Sequence, residues 1–95
     1  MERDLNYVRT ILLVEDEPLI RMATASMLED AGYRVLEEID ADGALKMLIT
    51  HPEIDIVITD VQMPGTMDGL KLVQIIRHAY SGISTIVTSG RASLG

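Results

Sequence analysis

Short apolar runs alternate along the chain with stretches in which apolar residues return every third or fourth position. "TILLVEDE" opens the pattern after a polar lead of nine residues, and an apolar run ending in three acids reads as a buried strand. Pro18 suits the first turn of a helix, Ile20, Ala23, Met27 and Ala31 follow at helical spacing, and Gly32 stops it, so residues 18–31 are predicted to form an amphipathic helix. "YRVLEE" is a weaker, alternating strand. Asp40 can cap a helix over 41–50, buried through Ala44, Leu45 and Leu48 and closed near Pro52. "IDIVITD" is apolar at nearly every position, as in a strand covered on both faces. A Pro/Gly-rich loop leads to "DGLKLVQIIRHAY", a helix capped by Asp68 with Leu72, Ile76 and Ala79 on one side, and "STIVTSG" is a last strand.

The order β-α-β-α-β-α-β implies an α/β fold with a parallel sheet and helices on both faces, because parallel strands need crossover connections. Ligands of such sheets bind outside the carboxyl ends of the strands, where strand order reverses. Glu15 and Asp16 end the first strand, Asp60 the third and Thr88 the fourth, so all four are expected along one rim.

Composition narrows the picture. Hydrophobic residues are 47% of the 95, but aromatics only 3% with no Phe or Trp, so the core must be aliphatic. A net charge of −7 with eight scattered Lys and Arg argues against nucleic acid as a direct ligand. The absence of Cys removes disulfides, thiolate catalysis and Cys-ligated metals. "MERDLNYVR" lacks an apolar signal region and no apolar run reaches membrane-spanning length, so a cytoplasmic protein without a membrane partner is expected.

Carboxylates gathered on one rim repel one another, and a hard divalent cation is the natural remedy. Magnesium prefers oxygen ligands and is held by one or two carboxylates with phosphate oxygens, so Asp60, Asp16, Glu15 and the carbonyl of Gln62 are candidate ligands. Zinc is disfavoured, since His51 and His78 fall elsewhere on the chain. With the charge neutralised, a carboxylate can attack phosphorus and become an acyl phosphate, and the Thr88 hydroxyl can bond a phosphoryl oxygen on Asp60. Small Ser89 and Gly90 would leave that approach open. Glu17 is assigned to the helix N-terminus, and Met63 and Met67 to loop packing.

These residues resemble the receiver domain of bacterial response regulators, the CheY-like module of two-component signalling. The resemblance rests on "VEDE" with Glu15 and Asp16, on Asp60 in "IVITDVQMPG", on Met63, Pro64, Met67, Asp68 and Gly69 in the following loop, and on Thr88 in "IVTSG". It implies a flavodoxin-like sheet of order 2-1-3-4-5 and a phosphoacceptor, Asp60, charged by a histidine kinase or a histidine phosphotransfer protein. It also implies Mg2+ on Glu15, Asp16, Asp60 and the Gln62 carbonyl, with no external substrate turned over.

The chain departs from the family in two places. The loop "MPGTMDG" is one residue longer than the commonest form. The sequence ends after the fourth strand, so a single receiver domain over 1–95 is expected to lack the fifth strand, its Lys and the last two helices; Lys46 and Lys71 occupy no matching position. From this comes the expectation of a homodimer through strand 84–89 or the bared sheet faces. The alternative reading is a truncated receiver that does not switch and serves as an assembly module. A phosphohydrolase would want a second acid two residues beyond Asp60, where Gln62 stands.

Overall fold

Each apolar run forms a strand, and each stretch with helical spacing forms a helix. The computed structural model describes residues 7–63, 65 and 67–88. In order, the elements are β1 Thr10–Val14, α1 Pro18–Asp30, β2 Arg34–Glu38, α2 Ala41–Thr50, β3 Ile54–Asp60, α3 Gly69–Ala79 and β4 Ser84–Thr88. Pro64 of the loop, and Ser89 and Gly90 after β4, lie outside the described residues.

The strands are parallel and lie in the order β2-β1-β3-β4, so the chain moves to one side of β1 and then returns to the other. The switch in direction falls between β1 and β3, where such sheets leave a crevice for ligands.

Side-chain oxygens close the helix N-termini. Glu17 accepts from the Ile20 amide at 2.8 Å, Asp40 from Gly43 at 2.8 Å and Asp68 from Lys71 at 2.9 Å. Pro18 occupies the first turn of α1, where its missing N–H leaves no bond unmade. Gly32 ends that helix with φ of 101°, a left-handed conformation that favours glycine.

Strand alternation divides the core in two. Leu12, Val14 and Val57 point to the side covered by α2 and α3, where they pack with Ile54, Ala41, Ala44, Leu48, Leu72 and Ile76. The helix residues are those expected from spacing, with two exceptions. Leu45 is only partly buried, and Ala79 is exposed while Val73 is buried in its stead.

The opposite face is thinner, because among the described residues α1 alone covers it. Leu13, Ile58 and Ile86 stand abreast in β1, β3 and β4. Leu13 is buried, Ile58 half-buried and Ile86 49% exposed, so cover falls off with distance from α1. The expectation that β3 is covered on both faces therefore holds on one side only. The stripe Ile20, Ala23, Met27 and Ala31 is not a buried face either: Ile20 and Ala23 are exposed, Met27 is 64% exposed and Ala31 is the C-cap. Only Ala25 of α1 is buried. Periodicity identified the helix, but no described element lies across that stripe to cover it.

Candidate metal and phosphoacceptor site

Glu15, Asp60 and Thr88 each lie two residues beyond Leu13, Ile58 and Ile86, so strand alternation brings them to the same face, one rung nearer the carboxyl ends. Asp60 is paired directly with Thr88. Glu15, Asp60 and Thr88, with Leu13 and Ile58 of the row below and Ile20, Thr24 and Met27 of α1, line a cavity of about 290 Å3. The carboxylates thus stand on an apolar floor at the switch in strand order.

Asp16 completes the cluster. Glu15, Asp16 and Asp60 each offer a carboxylate oxygen, and these oxygens lie within 4.8 Å of one another. Glu15 is 6% exposed, Asp60 is 3% exposed and Asp16 is half-buried. A set of hard oxygen donors suits magnesium or calcium and not zinc; oxygens on opposite sides of a magnesium ion stand about 4.2 Å apart, close to the spread here. His51 is instead the C-cap of α2, bonded to Glu53 at 2.9 Å, and His78 is exposed on α3.

The backbone around the acids is held from several directions. The Glu15 amide donates to the Glu38 carbonyl at 2.9 Å, and Glu15 Oε2 accepts from the Glu17 amide at 2.8 Å. The buried Thr59 hydroxyl donates to the Asp60 carbonyl at 3.0 Å, and the Val61 amide donates to the Thr88 carbonyl at 3.0 Å. The Gln62 amide reaches Asp60 Oδ1 at 3.4 Å, so the residue expected to offer a carbonyl lies beside the acceptor. Thr88 Oγ1 donates to the Thr59 carbonyl at 3.4 Å, a long bond for a hydroxyl.

Two residues serve this site through contacts that the motif alone did not reveal. Gly69 donates its amide to the Val61 carbonyl at 2.9 Å, and a Cβ on it would collide with the Asp60 carbonyl oxygen. The last glycine of "MDG" is therefore where α3 presses against the backbone of Asp60. Arg21, on α1, donates Nη1 to the Glu15 carbonyl at 2.9 Å and Nε to Glu37 at 3.2 Å. Its position four residues after Glu17 signals a helix face but not this reach. Met63 and Met67, expected to pack the loop, do lie against the core of the α2–α3 side.

Comparison with known proteins agrees with the geometry. The family profile of the response regulator receiver domain matches residues 11–94. The chain is 40% identical over 90 residues to sensor kinase CckA of Brucella abortus (strain 2308), spanning 94% of this chain and 9% of that protein. It is 34% identical over 85 residues to the nitrogen assimilation regulatory protein NtrX of Azorhizobium caulinodans, spanning 88% of this chain and 18% of the relative. Among solved structures, response regulator TrrA of Thermotoga maritima in complex with Mg2+ and BeF superposes with a TM-score of 0.80 at 31% identity, over 90% of this chain and 76% of that one. The chain is thus a small part of these curated relatives and about three-quarters of TrrA.

A parallel sheet of this order with an acidic cluster at its switch point defines a signalling module of the two-component class. The chain belongs to the response regulator receiver domain family. Members of that family receive phosphoryl groups from histidine kinases and generally bind Mg2+.

Proposed function

We propose that the chain is the phosphoacceptor of a two-component phosphorelay, taking a phosphoryl group onto Asp60 from a histidine kinase or histidine phosphotransfer protein. Glu15, Asp16, Asp60 and the Gln62 carbonyl hold Mg2+ for this step. The observation that carries the reading is the group of three carboxylates within 4.8 Å, with Thr88 paired to Asp60. TrrA, a relative solved with Mg2+ and BeF, supports the choice of ion.

In the transfer, an Asp60 oxygen bonds to phosphorus while the phosphorus–nitrogen bond of the donor breaks and its electron pair leaves on the imidazole. Bound Mg2+ supplies the positive charge that lets carboxylates and phosphoryl oxygens meet. The Thr59 hydroxyl and the close approach of Gly69 fix the Asp60 backbone, so its carboxylate is presented in one direction. Thr88 exchanges its long bond to the Thr59 carbonyl for one to a phosphoryl oxygen. No external substrate is turned over.

The test is incubation with acetyl phosphate and Mg2+, read by intact mass. A phosphate adduct on the wild type that disappears in Asp60→Asn and on chelation of Mg2+ is expected; a wild type that binds Mg2+ yet takes no adduct refutes the assignment.

The open α1 side favours a second property. Met27 of the cavity wall is 64% exposed and Ile86, paired with Ile58, 49%; β4 pairs only with β3 among the described residues, and Met22–Leu28 carries no charge on a chain of net charge −7. An uncharged patch on an acidic chain best suits an identical patch, and an edge strand readily pairs with its own copy. The 95-residue chain is accordingly proposed to form a cytoplasmic homodimer through this face, whether it switches or serves only in assembly. Light scattering that finds a monomer at high micromolar concentration refutes the dimer.

A further inference from the structure

We infer that Arg21 is a positioning residue for the metal site: it anchors the loop that carries Glu15 and Asp16 and thereby sets the affinity for a divalent cation. This rests on the metal-site reading above and extends it to a residue that supplies no ligand.

The Glu15–Glu17 segment joins β1 to α1 and bears two of the three carboxylates. Glu37 of β2 adds a further acid to the three carboxylates at this end of the sheet, since it lies beside β1 through the pairing of Leu13 with Glu37. Repulsion among them favours swinging the loop outward. Arg21 opposes that movement from a fixed base. Its backbone amide donates to the Glu17 carbonyl at 2.9 Å, so the residue is locked into α1, and its side chain runs back toward the helix N-terminus as helical side chains do. There Nη1 donates to the Glu15 carbonyl at 2.9 Å and Nε bonds to Glu37 Oε1 at 3.2 Å. The side chain is only 19% exposed, so water competes weakly for these bonds. One planar guanidinium thus ties the loop to α1 and to the tip of β2, a bridge that a single-point ammonium cannot reproduce in full.

Charge and positioning predict opposite signs. Removing a cation beside three carboxylates strengthens binding of a divalent ion by Coulomb's law. Releasing the loop weakens it, because apparent affinity falls with the fraction of molecules whose loop is in place.

The experiment is a Mg2+ titration of the full chain, followed by the backbone amide resonances of Glu15, Asp16 and Asp60, for wild type, Arg21→Met, Arg21→Lys and Glu37→Gln. Thermal melts accompany each variant. Arg21→Met is expected to weaken Mg2+ by about five- to tenfold, as for a loop held in place in 10–20% of molecules. Arg21→Lys recovers part of that loss, and Glu37→Gln, which keeps an acceptor for Nε, loses about two- to threefold. Affinity that is unchanged or tighter in Arg21→Met overturns the inference, even if the melt shifts. Should Arg21→Met fail to fold, Arg21→Lys decides, since it keeps the charge, and wild-type affinity in that variant overturns the inference. A wild type that binds no Mg2+ removes this inference together with the metal site, whereas Mg2+ binding without a phosphate adduct removes only the phosphoacceptor reading.

Discussion

Replacing Gly69 with alanine sets two physical effects against each other. Gly69 is the first residue of α3, and in a helix interior alanine is favoured over glycine by about 1 kcal/mol. Propensity alone therefore predicts a more stable protein. Sterics predict the reverse, because the new Cβ would stand 2.8 Å from the Asp60 carbonyl carbon and 3.1 Å from Val61 Cα, besides colliding with the carbonyl oxygen. Ordinary van der Waals contact begins near 3.4 Å, so backbone must move by more than half an ångström. No rotamer change can relieve this, since the obstructing atoms belong to the main chain. Overpacking with backbone displacement costs about 1–3 kcal/mol, and subtracting the helical gain leaves a loss of up to about 2 kcal/mol.

At about 4–8 °C per kcal/mol for a domain of this size, the melting temperature should fall by up to about 15 °C. Gly43→Ala is the control. There the Cβ meets the carboxylate tip of Glu38, which can swing away, so this variant should melt at or slightly above the wild type. Circular dichroism melts of the three proteins read the difference. Because the displaced atoms are those of Asp60, Gly69→Ala should also weaken Mg2+ in the amide titration described above. A Gly69→Ala protein that melts at or above the wild type with unchanged Mg2+ affinity refutes the close approach of α3 to the acceptor.

Further outcomes follow from other contacts. Leu72→Ala, at a wholly buried position on the inner face of α3, should cost about 2–5 kcal/mol, read by urea unfolding. Asp40→Ala removes the acceptor for the Gly43 amide and should cost about 1 kcal/mol in the same assay. The Tyr7 hydroxyl donates to both Asp55 carboxylate oxygens at 2.6 Å, and that bond holds its pKa above the usual value of 10.0, aided by slight desolvation and the Asp55 charge and opposed by Arg9. A raised folded-state value means the bond's contribution is present below pH 10 and lost as pH rises through the shifted value, so ultraviolet titration should show a late tyrosinate component absent from Tyr7→Phe. Glu53 behaves in the opposite sense: the His51 hydrogen bond leads the causes that lower its pKa below 4.5, so its contribution is present above that pH and lost as pH falls through the lowered value. Carboxyl carbon shifts in NMR should place its midpoint below that of a free glutamate.

The parts of the site that sequence made legible are those governed by strand periodicity. Glu15, Asp60 and Thr88 each end a strand, and since side chains alternate along a strand, knowing the sheet order suffices to bring them to one rim. Caps were legible for a similar reason, as Asp40 and Asp68 act on amides three residues away. Arg21 and Gly69 were not, because their work depends on which elements touch. Nothing local tells an arginine on α1 that the Glu15 carbonyl lies within 2.9 Å, or a glycine at the start of α3 that the Asp60 backbone leaves no room for a methyl group. The exposed stripe of α1 failed in the same way, since amphipathic spacing declares a face without naming its cover.

The uneven covering of the sheet bears on how the acceptor is held. On the α2–α3 side, Val57 and Thr59 are wholly buried, and Thr59 hands that rigidity to Asp60 through its bond to the Asp60 carbonyl. On the α1 side, the carboxylates face a cavity whose far wall is the exposed Ile20 and Met27. Asp60 is thus fixed from behind by packing, while in front polar contacts restrain the acids, among them the Arg21 side chain that ties α1 to the Glu15 carbonyl and to Glu37 of β2. Packing disturbed behind the strand should lower stability and affinity together, as in Gly69→Ala. Polar anchoring lost in front should change affinity with a much smaller effect on the melt, so Arg21→Met and Gly69→Ala should separate on a plot of one quantity against the other.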